Sequence, residues 1–237
     1  MKVNHDVVFE QKQKAASEAV KHVKDGFIVG LGSGSTAALA ITALGERIKN
    51  EGLKIKGVPT SYQAFLLAAE CGIPVTTLDE NPVIDVTIDG ADQLTPELFL
   101  IKGGGAALAR EKIVASSSKQ NIIIADEKKK VDFLGLNNQF VPIEVLPFAL
   151  SPVNHQLFRL GGKAVLREGI RKLGPVITDN GNIVLDVVFG EITDPAKLQL
   201  TIKMIPGVVE VGLFVGLTDI AYVGTRCGLE KIEKPRQ

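Results

Sequence analysis

Phe27-Ile28-Val29-Gly30-Leu31-Gly32-Ser33-Gly34-Ser35-Thr36 passes from an apolar run into a loop of glycines and hydroxyls, and an alanine-rich stretch, Ala37 to Lys49, follows it. The apolar run has the length of a buried strand, and the stretch after the loop is predicted to be a helix. A strand that enters a helix through a tight glycine turn is the building unit of a parallel sheet covered by helices. The same alternation continues on either side. Upstream, residues 7–24 predict an amphipathic helix with Lys, Gln and Glu on its outer face. Downstream come a strand from Lys54 to Pro59 and a helix from Ser61 to Cys71. A strand follows from Val83 to Ile88, then a helix from Ala106 to Ala115 and an apolar strand from Asn121 to Ala125.

The pattern changes after about residue 132. Strands are expected at Val141 to Pro147 and Lys163 to Arg167, with a helix between them at Val153 to Leu160. Pro175-Val-Ile-Thr178 and Ile183 to Phe189 flank Asp179-Asn180-Gly181-Asn182, a hairpin signal. A helix from Pro195 to Met204 and a strand from Val208 to Phe214 complete a β-α-β-β-α-β order, that of a ferredoxin-like unit. Ile220 to Gly224 is one more strand, expected to return to the first sheet. The expected fold is therefore α/β: a Rossmann-like parallel sheet flanked by helices, with an inserted smaller ferredoxin-like α+β domain. The expected boundaries are 1–132 and 216–237 for the α/β domain and 133–215 for the small one.

The composition narrows the function classes. The 237 residues carry 27 Lys+Arg against 27 Asp+Glu, so bulk charge offers nothing to nucleic acid or to a membrane surface. An anion site must therefore be local. Two widely separated cysteines, Cys71 and Cys227, fit a reduced intracellular protein rather than a disulfide scaffold. No apolar run resembles a signal peptide or a membrane span, and the expected location is the cytoplasm. His5, His22 and His155 have no metal-ligand spacing and lie far from the glycine loops in sequence, so neither a metal nor histidine catalysis is expected.

Three clusters can carry chemistry. Gly30 to Thr36 offers helix-start N–H groups and three hydroxyls, an anion cradle. Its glycine spacing is not that of a dinucleotide-binding turn, and no Lys follows as in a nucleotide-binding P-loop; an ordinary N-capped turn would look the same. Val83 to Asp92 ends in two carboxylates, Asp89 and Asp92, separated by Gly90-Ala91 at the end of a strand, where open α/β sheets bind ligands. Taken alone, that pair is more simply an Asp turn capping backbone N–H groups. In Lys102-Gly103-Gly104-Gly105, three consecutive glycines cost conformational entropy and suit a backbone that must approach a ligand closely. Beyond them, Glu111 lies three residues from Leu108 and Val114 and four from Ala107 and Ala115. It therefore sits on an apolar helix face, where desolvation would favour a general base; a surface ion pair is the plain alternative. Lys128-Lys129-Lys130 by itself reads as a solvated charge run, but it follows the strand Asn121 to Ala125 and could face the same site from its edge.

Together these clusters resemble the type A family of ribose-5-phosphate isomerase. The matching segments are GLGSGSTAALA, the TS of VPTSYQA, IDGAD, IKGGGAALAREKIVA, IADEKKKVD, IEVLPFA, VITDNGNIVLDV and IPGVVEVGLF, in order along nearly the whole chain. The resemblance implies interconversion of D-ribose 5-phosphate and D-ribulose 5-phosphate through an enediolate, in the non-oxidative pentose phosphate pathway, with no cofactor. By position, Glu111 matches the family's proton acceptor, and Asp89, Asp92 and Lys102 match its other catalytic polar residues. Ser33, Gly34, Ser35 and Thr36, Asp89 to Asp92, and Lys102 to Gly105 match its substrate-binding loops, and Lys129 matches a basic residue that contacts the substrate. The resemblance also implies a homodimer or homotetramer. Two positions depart from the family pattern: Ser33 stands where Thr is usual, and Gln93 where Glu is usual. Two rival readings are a sugar-phosphate-sensing domain of a transcription regulator and a hydrolase or deaminase of similar fold. The first would need a DNA-binding module, and only one helix precedes the first strand; the second lacks a suitably placed catalytic His.

Overall fold

The computed structural model describes residues 2–234, with side chains from residue 7 onward, so the side chain of His5 lies outside the described residues. The first part of the chain forms α1 (Lys2–Ala19), β1 (Ile28–Leu31), α2 (Ser35–Glu51), β2 (Lys56–Pro59), α3 (Tyr62–Glu70) and β3 (Val86–Gly90). Two short strands follow, β4 (Gln93–Leu94) and β5 (Leu100–Ile101), then α4 (Leu108–Ser116) and β6 (Asn121–Asp126). Next come β7 (Val141–Val145), α5 (Leu150–Arg159), β8 (Lys163–Leu166), β9 (Ile183–Val188), α6 (Pro195–Lys203), β10 (Val208–Val211) and β11 (Leu213–Phe214). β12 (Ile220–Thr225) and β13 (Gly228–Glu233) close the chain.

The chain divides into two compact units. One comprises 1–91, 110–130 and 217–237, and the other 92–109 and 131–216. By its contacts the segment 92–109 groups with the second of these units.

The first unit is a six-stranded sheet in the order β13-β12-β6-β3-β1-β2. All its pairings are parallel except the β12–β13 hairpin. Alternation within the strands feeds both faces. Val29, Leu31, Val86, Ile88, Ile122 and Ile124 join Ala15, Ala16 and Ala19 of α1 and Ala40, Ile41 and Leu44 of α2 in one cluster. Val58 and Ile84 meet Val114 of α4 in another. Small residues let the helices sit close; a Cβ on Gly224 of β12 would lie 1.9 Å from the carbonyl oxygen of Gln11. α1 begins earlier than the expected 7–24 and gives way to a 3₁₀ turn at Val20–His22.

The second unit has a four-stranded antiparallel sheet in the order β10-β7-β9-β8, crossed by α5 and α6. In chain order this is 4-1-3-2, the expected ferredoxin-like arrangement. The anticipated hairpin forms only in part. Thr178 N–H donates to Asn182 O at 2.8 Å, but the arm before the turn meets the arm after it only through an isolated bridge, Ile177 to Ile183, while Pro175 bridges Glu168 and β8 takes the place beside β9. Glu144, wholly buried on β7, accepts from the side chains of Thr178, Asn180 and Asn182 at 2.8–3.0 Å and fixes that turn from below. The expected strand Val208 to Phe214 breaks at Gly212. A Cβ there would come within 2.4 Å of Lys102 O and 2.7 Å of Pro142 O. Past the break, β11 leaves the four-stranded sheet and joins β5 and β4 in a separate three-stranded sheet.

Candidate active site

In the first unit the predicted residues lie along one sheet edge, the carboxyl ends of the parallel strands. β1 ends in the Gly32–Thr36 loop, β3 in Asp89-Gly90, and β6 in Asp126 followed by a 3₁₀ turn, Glu127–Lys129. α4 returns the chain to the start of β6, which pairs in parallel with β3. Its C-terminal end is pinned at the opposite edge, where Ile84 N–H donates to Ser117 O at 2.9 Å. Its first turn, which holds Glu111, therefore stands at the carboxyl edge. Val114 packs on β1 close enough that a Cβ on Gly30 would lie 2.7 Å from it. Glu111 is one turn earlier on the same helix face, 5% exposed. The N-terminal end of a helix is a favourable place for a carboxylate.

Asp89 organises the first loop. Its Oδ1 accepts from Ser33 N–H at 3.1 Å and from its neighbour Gly90 N–H at 2.7 Å, and the residue is 2% exposed. The close approach requires glycine at 32, where a Cβ would fall 2.2 Å from Asp89 Oδ1. Gly34 has φ +92°, which frees the turn into α2. The Ser33 hydroxyl lies 2.7 Å from Thr60 Oγ1 and donates to Ser61 Oγ at 2.6 Å. Gln63 Oε1 accepts from Gly34 N–H at 2.9 Å. Lys12 of α1 donates from Nζ to Ser35 Oγ at 3.0 Å. Thr36 flanks Gly90, its Cβ 3.9 Å from where a Cβ of that glycine would be. Lys129 is half-buried.

The second unit carries Asp92 and the Lys102 loop. Asp92 Oδ2 accepts from Gly104 N–H at 2.8 Å, and a Cβ on Gly104 would reach Asp92 Oδ1 at 2.8 Å. Gly103 has φ +105° and is wedged between Leu108 and Pro142. Ala106 adopts φ +61°, uncommon for a residue with a Cβ, in the turn closed by its N–H to Gly103 O. Lys102 is held by its N–H to Gly212 O at 2.8 Å. Its ammonium lies 5.5 Å from the centroid of Phe214, and the residue is only 4% exposed.

Residues to which the sequence alone gave no role at the site also shape these loops. Arg167 Nη1 donates to Gly103 O and Gly104 O at 2.9 and 3.1 Å. Its Nε donates to Asp186 Oδ2 at 2.8 Å, its Nη2 to Oδ1, and it faces Phe140. Gln93, the departure from the family pattern, is buried and uses both ends of its amide. Nε2 donates to Leu136 O and Oε1 accepts from Gly135 N–H, both at 2.9 Å. A carboxylate could only accept, so Gln93 suits this loop as Glu could not. Lys12 and Gln63 carried no signal in the sequence, whereas Thr60 and Ser61 entered only as a matching segment of the family resemblance, with no role attached. Among the described residues no group of three or more His, Cys, Asp or Glu side chains is placed to hold a metal ion.

The sequence model of the family described as ribose 5-phosphate isomerase A (phosphoriboisomerase A) matches residues 56–228. The chain is 48% identical to ribose-5-phosphate isomerase A of Pyrococcus horikoshii over 228 residues, 96% of this chain and 99% of that one. It is 51% identical to the Synechococcus protein of the same name over 220 residues, 92% of this chain and 94% of that one. Among solved structures it is similar to a D-ribose-5-phosphate isomerase in complex with phospho-erythronic acid. That match has a TM-score of 0.93 and 48% identity, covering 95% of this chain and 99% of that one. It is similar as well to ribose 5-phosphate isomerase A of Methanocaldococcus jannaschii, with a TM-score of 0.91 and 47% identity over 98% of this chain and 100% of that one.

Proposed function

This chain belongs to the ribose 5-phosphate isomerase A family, and from that premise we propose how its residues divide the work of the reaction. The enzyme interconverts D-ribose 5-phosphate and D-ribulose 5-phosphate. The substrate phosphate sits at the start of α2, against Ser35, Thr36 and the Lys12 ammonium, where a helix N-terminus and a cation favour an anion. Lys129 adds a second positive charge at the same sheet edge. The furanose ring must open before the carbonyl is exposed. Asp89 moves the ring-opening proton, its carboxylate oriented by the N–H groups of Ser33 and Gly90 on Oδ1.

Glu111 then removes the proton from C2, the C–H electron pair forms the C1–C2 double bond, and the carbonyl electrons move to the C1 oxygen. Lys102 and the N–H groups of Gly103 to Gly105 stabilise that oxyanion. The C2 hydroxyl then gives up its proton, which Asp92 passes to the C1 oxyanion, and Glu111 returns the carbon-bound proton at C1 as the carbonyl forms at C2. Asp92, fixed by Gly104 N–H, holds the substrate hydroxyls. The carbonyl itself acidifies the C–H bond, so the chemistry needs no electron carrier. The observation that supports this division most is the placement of Glu111, a buried carboxylate in the first turn of α4 at the edge where three parallel strands end.

We place the enzyme in the cytoplasm. Cys71 and Cys227 are free thiols, and no described helix is long and apolar enough to cross a membrane. We also propose a homo-oligomer assembled through the second unit. That unit exposes Phe148, Phe158, Ile170, Leu173 and Met204, and its edge strand β8 presents Val165. Light scattering at micromolar concentration then gives at least twice the chain mass; an active monomer contradicts it. The catalytic reading is tested by following ribulose 5-phosphate formation from ribose 5-phosphate with and without EDTA. Turnover unchanged by chelation is expected, and loss of turnover restored by a divalent ion would overturn it.

A further inference from the structure

The 3₁₀ turn that carries Lys129 is tied down on both sides of that residue by a single element, the β12–β13 hairpin. β12 runs parallel to β6 with Gly224 opposite Asp126, so the hairpin turn stands at the same sheet edge as the lysine run. Thr225 pairs with Gly228, which leaves only Arg226 and Cys227 in the turn and makes it short and stiff. From this turn Arg226 N–H donates to Glu127 Oε2 at 3.2 Å, and Arg226 Nε lies 3.3 Å from Glu127 Oε1. Two residues into β13, Glu230 accepts from Lys130 Nζ at 2.5 Å. Asp126, 2% exposed, caps the turn from its own end by accepting from Lys128 N–H at 3.1 Å. Residues 126, 127 and 130 are thus each anchored through their side chains, and the half-buried Lys129 lies between the anchors.

We propose that the β12–β13 hairpin is a clamp that positions Lys129 for the substrate, with Glu230 and Arg226 as positioning residues that never touch it. The arrangement also assigns distinct tasks to adjacent lysines: Lys130 is the anchor and Lys129 the contact. The proposal rests on the reading of Lys129 as a substrate contact. A lysine reaches its target from a flexible four-carbon stem, so the position of its backbone decides how much rotamer freedom is lost on binding. Loosening the clamp should weaken substrate affinity and leave the chemistry at Glu111 unaffected.

The test is a steady-state series on the full-length enzyme with ribose 5-phosphate: Glu230→Gln, Arg226→Gln, the pair combined, and Glu230→Gln in a Lys129→Ala background. Both anchors are partly exposed, so their removal leaves the fold intact. Each single variant is expected to raise KM roughly two- to five-fold, the range for a partly exposed ion pair, with kcat unchanged. The exchanged pair Lys130→Glu/Glu230→Lys should return KM toward the wild-type value. Glu230→Gln should add nothing to KM once Lys129 is alanine. A KM rise that persists in the Lys129→Ala background, or a fall in kcat in place of the KM rise, overturns the clamp. So does a normal KM in Glu230→Gln and Arg226→Gln when Lys129→Ala alone raises it, and Lys129 then stands as a contact without a clamp. If Lys129→Ala itself leaves KM unchanged, the assignment of Lys129 fails and the clamp falls with it.

Discussion

Arg167→Met removes the brace beneath the glycine loop while keeping most of the side chain's apolar length. The guanidinium makes two hydrogen bonds to Gly103 O and Gly104 O and a forked pair with Asp186. The two side chains are 13% and 19% exposed, so solvent replaces little of what is lost. Hydrogen bonds to a charged group contribute about 1.5–3 kcal/mol each, and a partly buried Asp186 left alone adds to the loss. With partial relaxation the net fall in stability is about 3 kcal/mol, which lowers Tm by about 6–12 °C for a chain of this size. The catalytic effect is separable. If the loop N–H groups shift by a fraction of an ångström from the oxyanion, kcat/KM falls about 10- to 100-fold, equivalent to about 1.4–2.7 kcal/mol of transition-state stabilisation. The comparison variant is Asp186→Asn, which weakens the ion pair but leaves Arg167 on both carbonyls. It should lose stability and keep activity. Steady-state assays well below both Tm values, alongside thermal melts, distinguish the two effects. If Arg167→Met loses stability but keeps kcat/KM within two-fold of wild type, the guanidinium does not shape the loop.

Gly104→Ala pushes a methyl to 2.8 Å from Asp92 Oδ1, so Asp92 must turn away; kcat should fall at least about ten-fold with a small change in Tm, as suits a shifted catalytic group, and thermal melts beside assays check it. Asp85 is partly buried, which by itself raises its carboxyl pKa, but the Lys119 ammonium and Ile28 N–H outweigh burial and hold it below the usual 3.8. A depressed folded-state pKa contributes stability above the unfolded value and loses it as pH falls through the folded one. Denaturant melts between neutral pH and pH 3 should therefore show a steeper acid loss for wild type than for Asp85→Asn. Burial pushes the Cys71 thiol up from its usual range, whereas Cys227 is exposed; alkylation of the native enzyme should modify Cys227 first, as peptide mapping would show.

The apolar runs of β1, β3 and β6 were legible because a strand buried on both faces spells itself out residue by residue, and the glycine clusters at 30–36 and 102–105 because tight turns leave little choice of residue. What the sequence concealed has physical causes. β4, β5 and β11 are two residues each, too short for periodicity, and the break at Gly212 is forced by carbonyls of Lys102 and Pro142, far away along the chain. The arm at 175–178 carried a hairpin signal, yet β8 won the place beside β9. Arg167 lies more than sixty residues beyond the loop it braces, and Lys12 sits on the polar face of α1 among similar residues. Neither position is marked by local spacing. The amide of Gln93, by contrast, was visible as a departure, and only its two backbone partners show why an amide serves there.

In the proposed reaction Glu111 moves the proton between C2 and C1. Glu111→Gln keeps the size of the side chain and abolishes proton abstraction, and a positioned general base contributes about 10²–10⁴-fold. The direct measurement is isomerisation in D₂O followed by NMR, with substrate binding checked separately by calorimetry. Wild-type enzyme should place deuterium at C1 of ribulose 5-phosphate and C2 of ribose 5-phosphate. Glu111→Gln should bind ribose 5-phosphate and show neither turnover nor exchange above a level about 10²-fold below wild type. Near-normal exchange in Glu111→Gln, with exchange abolished in Asp89→Asn, would make Asp89 the base and contradict the account.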